Sequence, residues 1–160
     1  TLNPLKHIDL FGTIILPALL IFTRSPFVVG WAKPVPVNPY NFRDQRWGSL
    51  KVSLAGPLVN LSLAIIFGLL IRFIPLPAAT STLFSSIVIY NFVLALFNLI
   101  PVPPLDGSHV LFSLLPNRFN GLKLFLHQYG QFILLALLFS GAVNYIFQGA
   151  AFLYYLITIA

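Results

Sequence analysis

A chain of 160 residues that is 58% hydrophobic and only 8% charged, against about 25% charged in an ordinary soluble domain, has more apolar surface than a core of its size can hide. The surplus faces lipid. The absence of Cys excludes disulfides and thiolate zinc sites. The net charge of +6 comes from nine Lys and Arg against three acidic residues, set mostly in connections, where basic residues report topology and anionic headgroups. No basic stripe with interleaved aromatics stands apart from the apolar segments, so nucleic acid is not an expected partner.

Residues 1–9, TLNPLKHID, are polar and extended in character, with Pro4 limiting helix formation. Asp9 is placed to cap the apolar run that begins at Leu10, and His7 is expected at the surface. That run, LFGTIILPALLIF, 10–22, is only 13 residues long and contains Pro17. A perpendicular crossing needs about 20 residues, so a short or re-entrant helix is expected here. Residues 23–50 are the longest polar connection. Within it WAKPVPVNP, 31–39, alternates Pro with Val and Lys, which favours a small extended segment at a sheet edge. Trp31 and Trp47 suit an interfacial aromatic belt.

Ser49 to about Phe73 is a long apolar helix interrupted by AGPLVN, 55–60. PLPAAT, 75–80, is a tight connection, and a second full-length helix is expected from about Ser81 to Ile100. GSHVLFSLL, 107–115, is a short apolar helix, and PNRFNGLK, 116–123, a polar turn. Leu126 to Ala160 has room for two helices with a break near SGAVN, 140–144. The expected fold is an all-α polytopic membrane protein of about five hydrophobic helices, one of them short or re-entrant, with a small extended segment near 31–39. No internal repeat or low-complexity linker divides the chain, so residues 1–160 are read as a single membrane-embedded domain.

The acidic residues are Asp9, Asp44 and Asp106. Asp106 is the anomaly, because it comes after an apolar helix and the prolines of FNLIPVPPLDG, 97–107. A carboxylate at a transmembrane helix end is costly without water, a partner or a cation. Prolines there free carbonyls, which is tolerated at depth only inside protein or beside a water-filled cavity. Two readings of the residues stay open. Asp106 caps the helix at 107–115, or it is a metal ligand whose ion supplies the countercharge.

FNLIPVPPLDGSHVL, 97–111, with AGPLVNL, 55–61, and GWAKPVPVNP, 30–39, resembles the site-2 protease family, the M50 intramembrane zinc peptidases. The likeness covers nearly all of the chain in the right order. It implies that Asp106 is the third ligand of one zinc ion and that Asn98 helps bind substrate or stabilise the oxyanion. It also implies a packing or substrate-positioning role for Asn60, and a substrate that is a transmembrane protein or peptide, guided by edge pairing to residues 31–39.

The chain departs from the family at one point. The other two ligands and the general base come from an H-E-x-x-H helix, and this sequence has no Glu. Either the sequence is a C-terminal part whose upstream catalytic helix lies before Thr1, inactive alone, or the protein has lost catalysis. His7, His109, His127 and Asp9 do not replace the missing ligands. His109, three residues after Asp106, is placed either to orient it or as an interfacial polar residue. His127, beside Tyr129, reads as an interfacial anchor. Two functions are therefore weighed. One is zinc-dependent intramembrane proteolysis. The other is a non-catalytic membrane protein, either a degenerate protease that binds transmembrane partners or a small transporter core built on a broken helix and an intramembrane acid. An intact upstream H-E-x-x-H helix discriminates them.

The basic residues orient the chain in the plasma membrane. Arg24, Lys33, Arg43, Arg46 and Lys51 stand against Asp44 in the 23–51 connection. Arg118 and Lys123 lie in 116–123, and 75–80 is uncharged. Positive-inside logic places the first two on the cytoplasmic side, with Asp106, and the third outside, while Arg72 near the outer end snorkels. Reporter tags near Asn41 and Asn117 are expected to read cytoplasmic and one near Ala79 external. Opposite sides for Asn41 and Asn117 would contradict this orientation.

Overall fold

In the computed structural model the described residues are 9–23 and 44–159. Their regular elements are all helical, with no strand among the described residues. The chain divides into two compact units, Thr1–Asn38 and Pro39–Ala160. The extended segment expected over 31–39, and His7, lie outside the described residues.

In the first unit, Asp9 caps as expected, its carboxylate accepting the Gly12 N–H at 2.7 Å. Leu10–Ile15 winds as a π-helical turn and continues into helix α1, Leu16–Phe22, with Pro17 in its first turn. The wide turn has a local cause, since a proline ring clashes with the carbonyl four residues back and gives it no N–H. Thr23 closes α1, its Oγ1 donating to the Leu19 and Leu20 carbonyls. The 13 residues reach about 20 Å, well short of the roughly 30 Å hydrocarbon core.

The second unit contains α2, Gln45–Phe73; α3, Ala78–Asn98; α4, Asp106–Leu114; α5, Asn120–Phe139; and α6, Ala142–Thr158. Three of these, over Trp47–Phe73, Ala78–Asn98 and Asn120–Phe139, are long and apolar enough to cross a membrane, by length and composition. α2 starts four residues before the expected Ser49. The cause is Asp44, whose carboxylate and carbonyl accept the Trp47 and Gly48 N–H groups, so the polar turn Gln45–Gly48 is held in the helix. α5 likewise begins at Asn120 inside the expected polar turn. Pro116 ends α4, Asn117–Phe119 makes one 3₁₀ turn, and Lys123 Nζ donates to the Leu115 carbonyl at 2.9 Å. A cation on the open carbonyl end of α4 is favourable. Hydropathy locates a lipid-facing run, whereas caps decide where the helix starts.

The core of this unit is narrow. Ala64 of α2, Val88 and Phe92 of α3 and Ala150 of α6 are buried together, and Ser85 Oγ bonds the Tyr154 hydroxyl at 2.8 Å across α3 and α6. Phe67 meets Phe84 edge to face at 4.8 Å between α2 and α3. Small residues set the spacing. A Cβ on Gly68 would lie 2.5 Å from Ile157 Cγ2, and one on Gly149 would lie 3.4 Å from Leu96 Cδ1. Such contacts let helices pack where lipid removes most of the hydrophobic drive. Outward, Leu58, Ile66, Phe132, Phe139 and Phe152 are exposed, which suits lipid contact. The break expected near 140–144 falls at Gly141, whose φ of 80° favours glycine.

α5 carries two glycines in opposite settings. A Cβ on Gly121 meets nothing within 4 Å, whereas one on Gly130 would lie 2.8 Å from the Pro103 carbonyl oxygen and 2.9 Å from its ring. In thermal unfolding in detergent, Gly121→Ala is expected to be neutral or stabilising by up to about 1 kcal/mol, the helix-propensity gain. Gly130→Ala is expected to destabilise by about 1–3 kcal/mol through overpacking. Equal behaviour of the two variants would contradict this contact.

Candidate metal centre

α3 ends at Asn98, and the chain between it and α4 is a series of tight turns. The Leu99 N–H reaches the Ala95 carbonyl, Ile100 reaches Phe97, Val102 reaches Ile100 and Leu105 reaches Val102, all between 2.8 and 3.1 Å. The Pro103–Pro104 peptide is cis and sits in the last of these turns. Prolines 101, 103 and 104 cannot donate, so the remaining N–H groups carry the turns. Val102, Leu105, Gly107 and Ser108 are buried, and the Ser108 hydroxyl donates to the Leu105 carbonyl at 2.7 Å. The loop and the end of α3 thus supply these hydrogen-bond partners.

Gly107 shows how far the chain turns back. A Cβ there would overlap the Leu99 and Ile100 carbonyls, so the first turn of α4 lies directly against the end of α3. A continuous helix would instead carry Asn98 and Asp106 about 12 Å apart along its axis. On its other side α4 packs against α2, and there a Cβ on Gly56 would lie 3.3 Å from Asp106 Oδ2.

Asp106 is the first residue of α4, and the capping position belongs to Leu105, which makes no side-chain cap. The simple capping role for Asp106 is therefore not what the geometry shows, although a carboxylate in the first helical turn is still favoured by the helix dipole. The side chain is half-buried and, among the described residues, accepts no hydrogen bond. α4 is not one of the three spanning helices. Burial holds the Asp106 carboxyl above the ordinary carboxylate range, and the charge of His109 partly offsets this. No side-chain oxygen or nitrogen among the described residues is both fully buried and unpartnered, so the Asp106 oxygens reach the surface, where water or a cation can meet them.

Asn98 is the half-buried last residue of α3. Asn60 is half-buried on α2, one turn beyond Gly56, so both lie on one face of the helix, and its Cα–Cβ bond tilts back toward Gly56. Pro57 next to Gly56 is fully buried and withholds the N–H that would close the turn on the Ser53 carbonyl. The loop therefore brings the end of α3, the start of α4 and the Gly56 face of α2 together. His109 and His127 line a separate open cavity of about 350 Å³ with Pro103, Pro104, Ser108 and Gln131.

Whether these residues fit a metal depends on donor count. Asp106 offers one oxygen-donor group, and no cluster of three His, Cys, Asp or Glu occurs among the described residues. A catalytic zinc ion takes three protein ligands and one water, so Asp106 fits one position of such a sphere and this chain's described residues do not complete it. Gly56, Gly107 and Gly130 were not singled out from the sequence. A glycine inside a helical pattern is a weak signal of close approach, but which backbone approaches it is a tertiary fact.

A helical chain with three helices long and apolar enough to cross a membrane defines a helical membrane protein. The model of peptidase family M50 matches residues 75–141, which contain the whole turn-back and Asp106. Two relatives are named "Putative zinc metalloprotease". YwhC of Bacillus subtilis is 39% identical over 155 residues, covering 91% of this chain and 67% of the relative, and sll0528 of Synechocystis is 41% identical over 68 residues, 42% of this chain and 18% of that protein. Zinc metalloprotease MJ0392 of Methanocaldococcus jannaschii is 32% identical over 76 residues, 48% of this chain and 22% of that protein. No solved structure matches. The chain belongs to peptidase family M50, a family of zinc metalloproteases.

Proposed function

We propose that the chain is the part of a site-2 protease-like enzyme that supplies the third ligand of one zinc ion, and that the enzyme cleaves transmembrane proteins or peptides within the bilayer. The observation that carries the reading is the Asp106 carboxylate, half-buried, without a hydrogen-bond donor among the described residues and set against Gly56, in a chain of a zinc metalloprotease family. The other two ligands and the general base come from an H-E-x-x-H helix of the full-length protein, beyond residues 1–160. When bound, zinc polarises a carbonyl and makes water acidic enough to be a nucleophile near neutral pH.

The roles of this chain's residues rest on their chemistry. Asp106 would contribute an anionic oxygen donor, and the bound cation would supply the countercharge that makes its partial burial tolerable. Asn98 offers a side-chain N–H to the oxygen of the scissile carbonyl as negative charge develops there, which a fixed donor stabilises most in a site shielded from water. Asn60, on the Gly56 face, hydrogen-bonds the substrate backbone and holds it extended. Residues 31–39 guide the unwound substrate by edge pairing. The domain is embedded in the plasma membrane with the Asp106 side cytoplasmic, and lipid covers its exposed apolar faces.

In the full-length protein, Asp106→Ala is expected to abolish cleavage and lower zinc retention while the protein stays in the membrane. Asn98→Ala is expected to keep zinc but slow cleavage by about 10²-fold, the scale of one lost oxyanion donor. Zinc content and single-turnover cleavage of a transmembrane peptide measure both. Wild-type zinc and cleavage in Asp106→Ala would overturn the ligand assignment, and near-normal cleavage by Asn98→Ala would reduce Asn98 to a packing residue.

A further inference from the structure

We infer that Gly56 is a positioning residue for the metal site: the bare backbone of α2 at this position is the seat against which the Asp106 carboxylate rests. The inference deepens the proposed function and rests on Asp106 being a zinc ligand. Its basis is the specificity of the contact. The Cβ of any other residue at position 56 would stand 3.3 Å from Asp106 Oδ2 and would meet no other atom within 4 Å outside its own helix and chain neighbours. Gly56 is itself exposed, so its lack of a side chain does not serve tight helix packing in the way that Gly68 against Ile157 or Gly130 against Pro103 does. Space is left open on one side and a carboxylate oxygen sits on the other.

The size of the effect decides what the glycine is for. At 3.3 Å a Cβ is tighter than ordinary van der Waals contact, and the carboxylate must give by a few tenths of an ångström. For folding that is trivial, because a single χ rotation of Asp106 accommodates it. For a metal ligand it is not, since ligand distances in working sites hold to about ±0.2 Å. Backbone constraint next to Gly56 supports the same role. Buried Pro57 has its own φ fixed by its ring and restricts the backbone of Gly56 before it, and Gly107, next to Asp106, is wedged against the Leu99 and Ile100 carbonyls. With the main chain held on both sides, the carboxylate has only its side-chain torsions with which to escape a Cβ.

Gly56→Ala therefore separates stability from metal binding. Alanine is the better helix former, so the variant is expected to keep or raise the thermal midpoint of the metal-free full-length protein. It is also expected to lose zinc retention against a chelator by about 10-fold or more, the scale of disturbing the support of a ligand. Gly121→Ala, which meets nothing, serves as the propensity control and should retain zinc normally. In an Asp106→Ala background, Gly56→Ala should change zinc retention no further, because it acts through that carboxylate. A lowered midpoint for the metal-free Gly56→Ala protein, or an additive loss in the double variant, would overturn the inference in favour of a packing role. Wild-type zinc retention in Gly56→Ala, with loss in Asp106→Ala, would overturn this inference alone. Wild-type retention in Asp106→Ala would overturn the ligand assignment and this inference with it.

Discussion

The arrangement depends on close backbone contact around one buried loop. Residues 99–107 must leave the end of α3, turn back and start α4 against α2, and glycines stand at the closest approaches. Gly107 lies against the Leu99 and Ile100 carbonyls, Gly130 of α5 against Pro103, and Gly56 of α2 against the Asp106 carboxylate. Prolines cannot continue a helix and lack the N–H that would otherwise be orphaned in the turn, so a loop rich in them has few donors left to satisfy. The Leu99, Ile100, Val102 and Leu105 N–H groups bond to carbonyls of the end of α3 and of the loop. Proline breaks the helix and glycine lets the broken ends come together.

This explains how a chain with so small a buried core can hold a polar site. Phe92, Val88, Ala64 and Ala150 tie α2, α3 and α6, but lipid competes equally well for apolar side chains, so packing shape rather than hydrophobicity sets the arrangement. α5 is joined differently. It is held by the Lys123 bond to the Leu115 carbonyl and by Gly130 on Pro103, both on the segment that carries Asp106. The loop is therefore where the packing of the helices and the chemistry of the site meet.

Much of this was legible in the residues. The capping of the first apolar run by Asp9, the break at Gly141 and the full-length apolar helices come from local rules, and the structure agrees. Helix starts were less legible. Asp44 and Lys123 extend helices into polar turns by bonds to single backbone groups, which a hydropathy pattern does not register. Asp106 stood out because an acid beside three prolines at a helix end needs a reason. The choice between cap and ligand could not come from spacing, since both place Asp at the start of a helix. What bears on it instead is that Leu105 holds the capping position, which leaves Asp106 as the first helical residue. Gly56 was invisible for a plainer reason. Its partner lies 50 positions along the chain, and nothing local says that an exposed glycine faces a carboxylate.

The most direct measurement is anomalous diffraction at the zinc edge from crystals of the full-length protein, which locates the ion without reference to activity. The account predicts a single strong zinc peak about 2.0–2.2 Å from a carboxylate oxygen of Asp106. A zinc peak held by His109 and His127 in their cavity, with Asp106 unligated, would contradict it.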